Sequence, residues 1–278
     1  MEKHLLIAIS DDTTGLHGVR FVTSFFGKSP QIRITLFTVA AQPVKHTGPH
    51  AEVHHHKDGH PLESAQRMLI DAGIPEDHIK VKAVSKRFGT VKDIIGESRA
   101  GLYDAVVLGN RGFTLLQETF SAPSVGKELL QHQIDFPIWI CRRPQAGLSN
   151  ILLCVDDSEP SLRIADHVGF ILEEEPGHSI TMLYVDEGKG HNADAVFEPV
   201  YKALLANKVP EDRISRMVAR SSNIPQAILQ EAARGAYAAV AMGRGGKEPT
   251  GMLDKWRMGS RSLKVMESLE HAVLWISK

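Results

Sequence analysis

A chain of 278 residues has room for two domains of ordinary size, each able to bury its own core. Hydrophobic residues make up 42% and charged residues 23%, the balance of a globular protein that folds in water. A formal net charge of -1 gives no electrostatic footprint for a nucleic-acid partner, and no apolar run approaches the roughly 20 residues that span a bilayer. In chain order the first half predicts strand 5–9, helix about 14–26, strand 32–39, helix about 62–72, strand 79–84, helix about 91–100, strand 105–109, helix about 124–132 and strand 137–141. After the short polar linker 142–150, the second half predicts elements at 151–155, 158–173, 179–185, 193–206, 214–218, 224–234, 238–243, 260–270 and 272–276. Aliphatic strands alternating with amphipathic helices argue for an α/β fold, a doubly wound parallel sheet with helices on both faces, in each half.

The two halves repeat each other. Leu5-Leu6-Ile7-Ala8-Ile9-Ser10-Asp11-Asp12 returns as Ile151-Leu152-Leu153-Cys154-Val155-Asp156-Asp157-Ser158, and Ile34-Thr35-Leu36-Phe37-Thr38-Val39 as Ile180-Thr181-Met182-Leu183-Tyr184-Val185. Ile74-Pro75-Glu76-Asp77-His78-Ile79 matches Val209-Pro210-Glu211-Asp212-Arg213-Ile214. Ala105-Val106-Val107-Leu108-Gly109-Asn110-Arg111-Gly112 matches Ala239-Val240-Ala241-Met242-Gly243-Arg244-Gly245-Gly246. A repeat of this length is a whole domain, so domains are expected at 1–143 and 151–278. The linker is too short to separate them widely, which predicts an intrachain pseudo-dimer.

The two cysteines, Cys141 and Cys154, sit inside apolar strand patterns and read as core residues rather than a disulfide framework. The first residues run straight into a strand pattern with no signal segment, so a cytoplasmic protein is expected.

Chemistry concentrates in the second half. After its fourth strand comes Gly243-Arg244-Gly245-Gly246, and later Gly259-Ser260-Arg261-Ser262, with Arg244, Lys247, Lys255, Arg257 and Arg261 in the same stretch. Glycines let a backbone turn with positive φ, and a Gly-Ser that opens a helix aims free N–H groups and the positive dipole end at an anion. In a doubly wound sheet, ligands sit beyond the carboxyl ends of the strands where their order reverses, which would bring Asp156 to face this loop. A carboxylate there suits a ribose hydroxyl, and backbone groups near Val185 suit a base. The plainer alternative is that the glycines only let a helix pack closely on a strand. No Gly-x-x-x-x-Gly-Lys-Ser/Thr is present, and no Gly-x-Gly-x-x-Gly follows the first strand, which excludes a P-loop and argues against a dinucleotide site.

On these residues each half resembles a universal stress protein domain, whose pattern is Val-Asp-x-Ser ending the first strand and Gly-x-x-Gly, nine residues, then Gly-Ser/Thr after the fourth. The resemblance covers nearly the whole chain. It implies a five-stranded parallel sheet of order 3-2-1-4-5, dimerisation often through the last strand, and ATP binding in one subclass. Carried over by position, Asp156, Val185, Met242, Gly243, Gly246, Gly259, Ser260, Arg261 and Ser262 would hold the nucleotide. The expected ligand is ATP with Mg2+, and AMP is the alternative. Twelve residues, not nine, separate Gly246 from Gly259, a departure that enlarges the loop. In the first half the nine-residue spacing from Gly112 lands on Ala122-Pro123, and Ser10 stands where the pattern has Asp. Alanine resists positive φ and proline lacks an N–H, so this copy reads as degenerate.

His46, His50, His54, His55, His56 and His60 crowd one loop with Asp58. A zinc or nickel site on His50, His54 and His56 is weighed against an incidental polar loop, and the absence of cysteine ligands or a second copy favours the loop. No nucleophile elbow or zinc-hydrolase pattern is present. The expectation is a nucleotide-binding regulatory protein acting on an unknown protein partner, with homodimerisation open. A non-nucleotide docking scaffold and a slow ATPase are the alternatives.

Overall fold

The computed structural model describes residues 1–10, 16–27, 29–40, 61–110, 114, 134–190, 192–244 and 260–277. The chain divides into two compact units, Met1–Arg142 and Arg143–Lys278. The histidine loop, Gly246, Gly259, Ala122-Pro123 and the helix expected at 124–132 lie outside the described residues.

The first unit runs β1 (Lys3–Ala8), α1 (His17–Phe26), β2 (Ile32–Ala40), α2 (Pro61–Asp71), β3 (Ile79–Ser85), α3 (Thr90–Ala100), β4 (Ala105–Gly109) and β5 (Ile138–Cys141). Its strands pair in the order β3-β2-β1-β4-β5, all parallel, with Leu5 opposite Ile34 on one side and Ala105 on the other. β1 starts at Lys3, two residues before the expected start. The apolar pattern hides this because Lys3, although charged, is fully buried in the strand and its N–H donates to Gln31 O at 2.7 Å.

The second unit repeats the plan with β6 (Ile151–Val155), α4 (Glu159–Leu172), β7 (Ile180–Asp186), α5 (Ala193–Ala206), β8 (Ile214–Arg220), α6 (Ile224–Arg234), β9 (Ala239–Gly243), α7 (Ser260–Ser268) and β10 (Val273–Ser277). The order is β8-β7-β6-β9-β10, again all parallel. Right-handed crossovers place α4 and α5, which pack together, on one face and α6 and α7 on the other. Two covered faces explain why Ile151, Leu152, Leu153 and Val155 are all buried. The expected order 3-2-1-4-5 is found in both units, and α7 ends two residues earlier than the pattern suggested.

The core of each unit gathers around a tryptophan of its last strand. Trp139 is fully buried, edge-on to Phe21 at 6.0 Å and stacked on Phe26 at 6.0 Å. Trp275 is fully buried and meets the His167 ring at 6.0 Å. Both cysteines are free, Cys141 buried in β5 and Cys154 partly exposed in β6. Among the described residues no helix is long and apolar enough to cross a membrane.

Candidate functional site

The site begins where β6 ends. Asp156 is drawn into a tight turn: its Oδ1 accepts from the Ser158 N–H at 3.0 Å and from the Ser158 hydroxyl. Ser158 in turn N-caps α4, its Oγ accepting from the Ser161 N–H at 3.3 Å, and the Asp156 N–H donates to Ser161 Oγ at 3.1 Å. Such a cap satisfies orphan donors of the first helical turn, and Pro160 fits there because its missing N–H would have had no helical partner. The turn engages Oδ1, on a side chain that is only partly covered.

Next to it, β7 overshoots β6. The last register pair is Val155 with Tyr184, so Val185 lies one residue past the ladder. The carbonyl of Asp186 accepts from Ser221 N–H at 3.0 Å and so faces β8. Backbone groups alternate sides along a strand, so the N–H and C=O of Val185 face the β6 side. The Val155–Tyr184 pairing already engages the Val185 N–H with the Val155 carbonyl, so the Val185 C=O is the acceptor beyond the last ladder bond at the strand end.

On the other side of β6, β9 brings Met242 and Gly243 to the same edge of the sheet. Met242 is 7% exposed and pairs with Ile276. A Cβ on Gly243 would meet the Pro160 carbonyl carbon at 2.6 Å, which makes glycine here a requirement of packing against the start of α4. The plainer of the two sequence readings therefore accounts for this glycine. The Ser262 hydroxyl, 3% exposed, donates to Gly243 O at 3.4 Å and ties the start of α7 to the end of β9. Ser260 is the first residue of α7.

Arg261, the second residue of α7, turns outward. Its Nη2 lies 3.3 Å from both carboxylate oxygens of Glu187, just past β7. Glu187 also accepts from Lys189 Nζ at 2.9 Å, and this hydrogen bond, with Arg261 behind it, holds its carboxyl below the usual carboxylate range. Glu187, Ser222, Asn223, Ile224, Pro225, Arg261 and Lys264 line a groove of about 280 Å³. The N-terminal turns of α6 and α7 both border it, so two positive dipole ends meet at one depression. α6 is itself capped by Asn223, whose side chain accepts from the Gln226 N–H at 3.2 Å.

Of the residues expected from sequence, Arg261 lines this groove, while Asp156, Val185, Met242, Gly243, Ser260 and Ser262 occupy the adjoining strand ends and helix start. Glu187, Asn223 and Lys264 were missed. Ser222-Asn223-Ile224-Pro225 carried a usable signal, a capping asparagine ahead of proline, whereas Glu187 carried none. Among the described residues no group of three or more His, Cys, Asp or Glu could hold a metal ion.

No family model matches the chain, and no curated protein matches it. Solved structures do. A universal stress protein from Archaeoglobus fulgidus aligns over 99% of this chain and 96% of its own at 17% identity, with a TM-score of 0.64. A functionally unknown protein from Pseudomonas aeruginosa aligns over 100% of this chain and 92% of its own at 11% identity, with a TM-score of 0.57. Identities this low speak to fold, and the fold is the one that the repeated residues implied: the chain carries the universal stress protein fold twice in tandem.

Proposed function

We propose that the second unit binds a nucleotide, ATP or AMP, in the crevice beyond the carboxyl ends of β6, β7 and β9, and that the protein acts as a nucleotide-responsive regulator. The observation that carries this reading is the convergence of three unlike groups at one edge of the sheet. The Val185 C=O suits an amino group of a base, the Asp156 carboxylate suits a ribose hydroxyl, and the first turn of α7 with Arg261 and Lys264 suits phosphate. With ATP, a Mg2+ ion would neutralise part of the phosphate charge.

The test is calorimetry of the full chain with ATP and AMP. Asp156→Ala removes a charged hydrogen-bond acceptor, which typically costs about 1.5–3 kcal/mol, or roughly ten- to a hundredfold in affinity. Ser10→Ala, at the matching place in the first unit, is expected to change nothing. Undiminished binding by Asp156→Ala would contradict the assignment.

A second reading has one observation in its favour: packing on Pro160 alone explains Gly243. On that reading the tandem fold is a docking scaffold for a protein partner, and neither nucleotide binds. Phosphate release above background, abolished by Asp156→Ala, would instead identify a slow ATPase.

A further inference from the structure

The groove beside the strand ends contains a carboxylate where a polyphosphate site would be expected to hold only cations and amides. Glu187 is the least exposed member of its ion-pair cluster: its side chain is 22% exposed, against 54% for Arg261 and 61% for Lys189. It reaches from the end of β7 to the first turn of α7 and occupies the outward Nη2 of Arg261. Lys264, one turn on, lines the same groove. From this arrangement, and resting on the nucleotide reading above, we infer that Glu187 is a specificity-determining residue that biases the site toward ligands of low phosphate charge, a nucleoside monophosphate over a triphosphate.

The argument is one of competition. An anion seated on the first turn of α7 must either take Arg261 from Glu187 or lie beside a fixed negative charge. A monophosphate carries about two charges and can be met by helix N–H groups and Lys264 while Arg261 stays paired. A triphosphate carries about four, extends further and meets Glu187 directly; like charges a few ångströms apart repel even in a solvated groove. The cation cluster found in sequence is thus partly neutralised from a neighbouring loop. The repeat gives a contrast: counting from the matched strands, Ala41 stands where the second unit has Glu187.

The experiment measures ATP and AMP affinities of the full-length protein by calorimetry for the wild type, Glu187→Gln, Arg261→Gln and the double variant. Glu187→Gln is expected to tighten ATP by roughly two- to fivefold, the upper range of one solvent-exposed charge pair, and AMP by less than that. In the Arg261→Gln background the effect on ATP should shrink, because Glu187 acts partly through that guanidinium. An unchanged ATP-to-AMP ratio, or weaker ATP binding by Glu187→Gln, would overturn the inference and leave Glu187 as a support for Arg261. Binding of neither nucleotide to the wild type or to Glu187→Gln would overturn the nucleotide reading itself, and this inference with it.

Discussion

The two units differ most where their strands end and least where their strands begin. At the corner leading into the fourth strand, Gly101-Leu102-Tyr103 and Gly235-Ala236-Tyr237 are nearly superimposable in kind. Leu102 and Ala236 both adopt left-handed φ, 51° and 50°. The tyrosine hydroxyls donate to Glu97 at 2.9 Å and Glu231 at 3.0 Å, and a Cβ on either glycine would lie 2.1 Å from a tyrosine ring carbon. At the opposite edge the copies part. α1 follows Leu16 with no side-chain cap, whereas α4 is capped by Ser158 and tied to Asp156. Packing dictates the shared corner, so both copies keep it; on the nucleotide reading proposed above, the carboxyl ends would answer to a ligand and be free to diverge in a copy that does not bind. Function in this chain is to be sought where the repeat is imperfect.

If the shared corner is structural, the same substitution should cost both units alike. Gly101→Ala and Gly235→Ala each force a methyl group into a buried tyrosine ring, at the upper end of overpacking costs, about 3 kcal/mol. Urea unfolding would show this, and a cost confined to one unit would break the equivalence.

The cores offer a sharper contrast, because Phe21 against Trp139 becomes His167 against Trp275. Burial lowers the His167 pKa to about 3 from its ordinary 6.5. Between those values the unfolded chain takes up a proton that the folded chain refuses, so stability falls as pH falls through that window and is unaffected above it. At pH 5 the loss amounts to about 2 kcal/mol. His167→Phe, which restores the residue of the first unit, should remove that acid loss in unfolding experiments at neutral pH and at about pH 5. Equal losses in the two proteins would show that the imidazole is not held neutral by its surroundings.

A smaller effect is expected at the helix start. Ser158→Ala removes the cap of α4 and should cost about 1 kcal/mol. Leu16→Ala removes no side-chain cap, so any loss there must come from packing; thermal unfolding of both variants checks the difference. A cost for Ser158→Ala within a few tenths of zero would mean that Asp156 alone organises the turn.

How much of this could be read from sequence follows from what each residue answers to. The bounds of α5 and α6 were legible to the residue because Asn192 and Asn223 cap them. β1 was read two residues short, since a buried lysine leaves no apolar signature. Asp156 could be proposed because it ends a strand that the repeat had already aligned. For Gly243 both reasons could be proposed but not chosen between, because the contact with Pro160 joins residues far apart in sequence, and spacing alone cannot separate close packing from phosphate approach. Glu187 escaped for a similar reason: its meaning lies in reaching Arg261, 74 positions away.

The central claim is that one copy binds and the other does not. Titration calorimetry of the full chain with ATP and with AMP measures it most directly, through the number of sites. The account predicts one nucleotide per chain, lost or weakened at least tenfold by Asp156→Ala and indifferent to Ser10→Ala. Two equivalent sites per chain, or a single site that Asp156→Ala leaves intact, would contradict it.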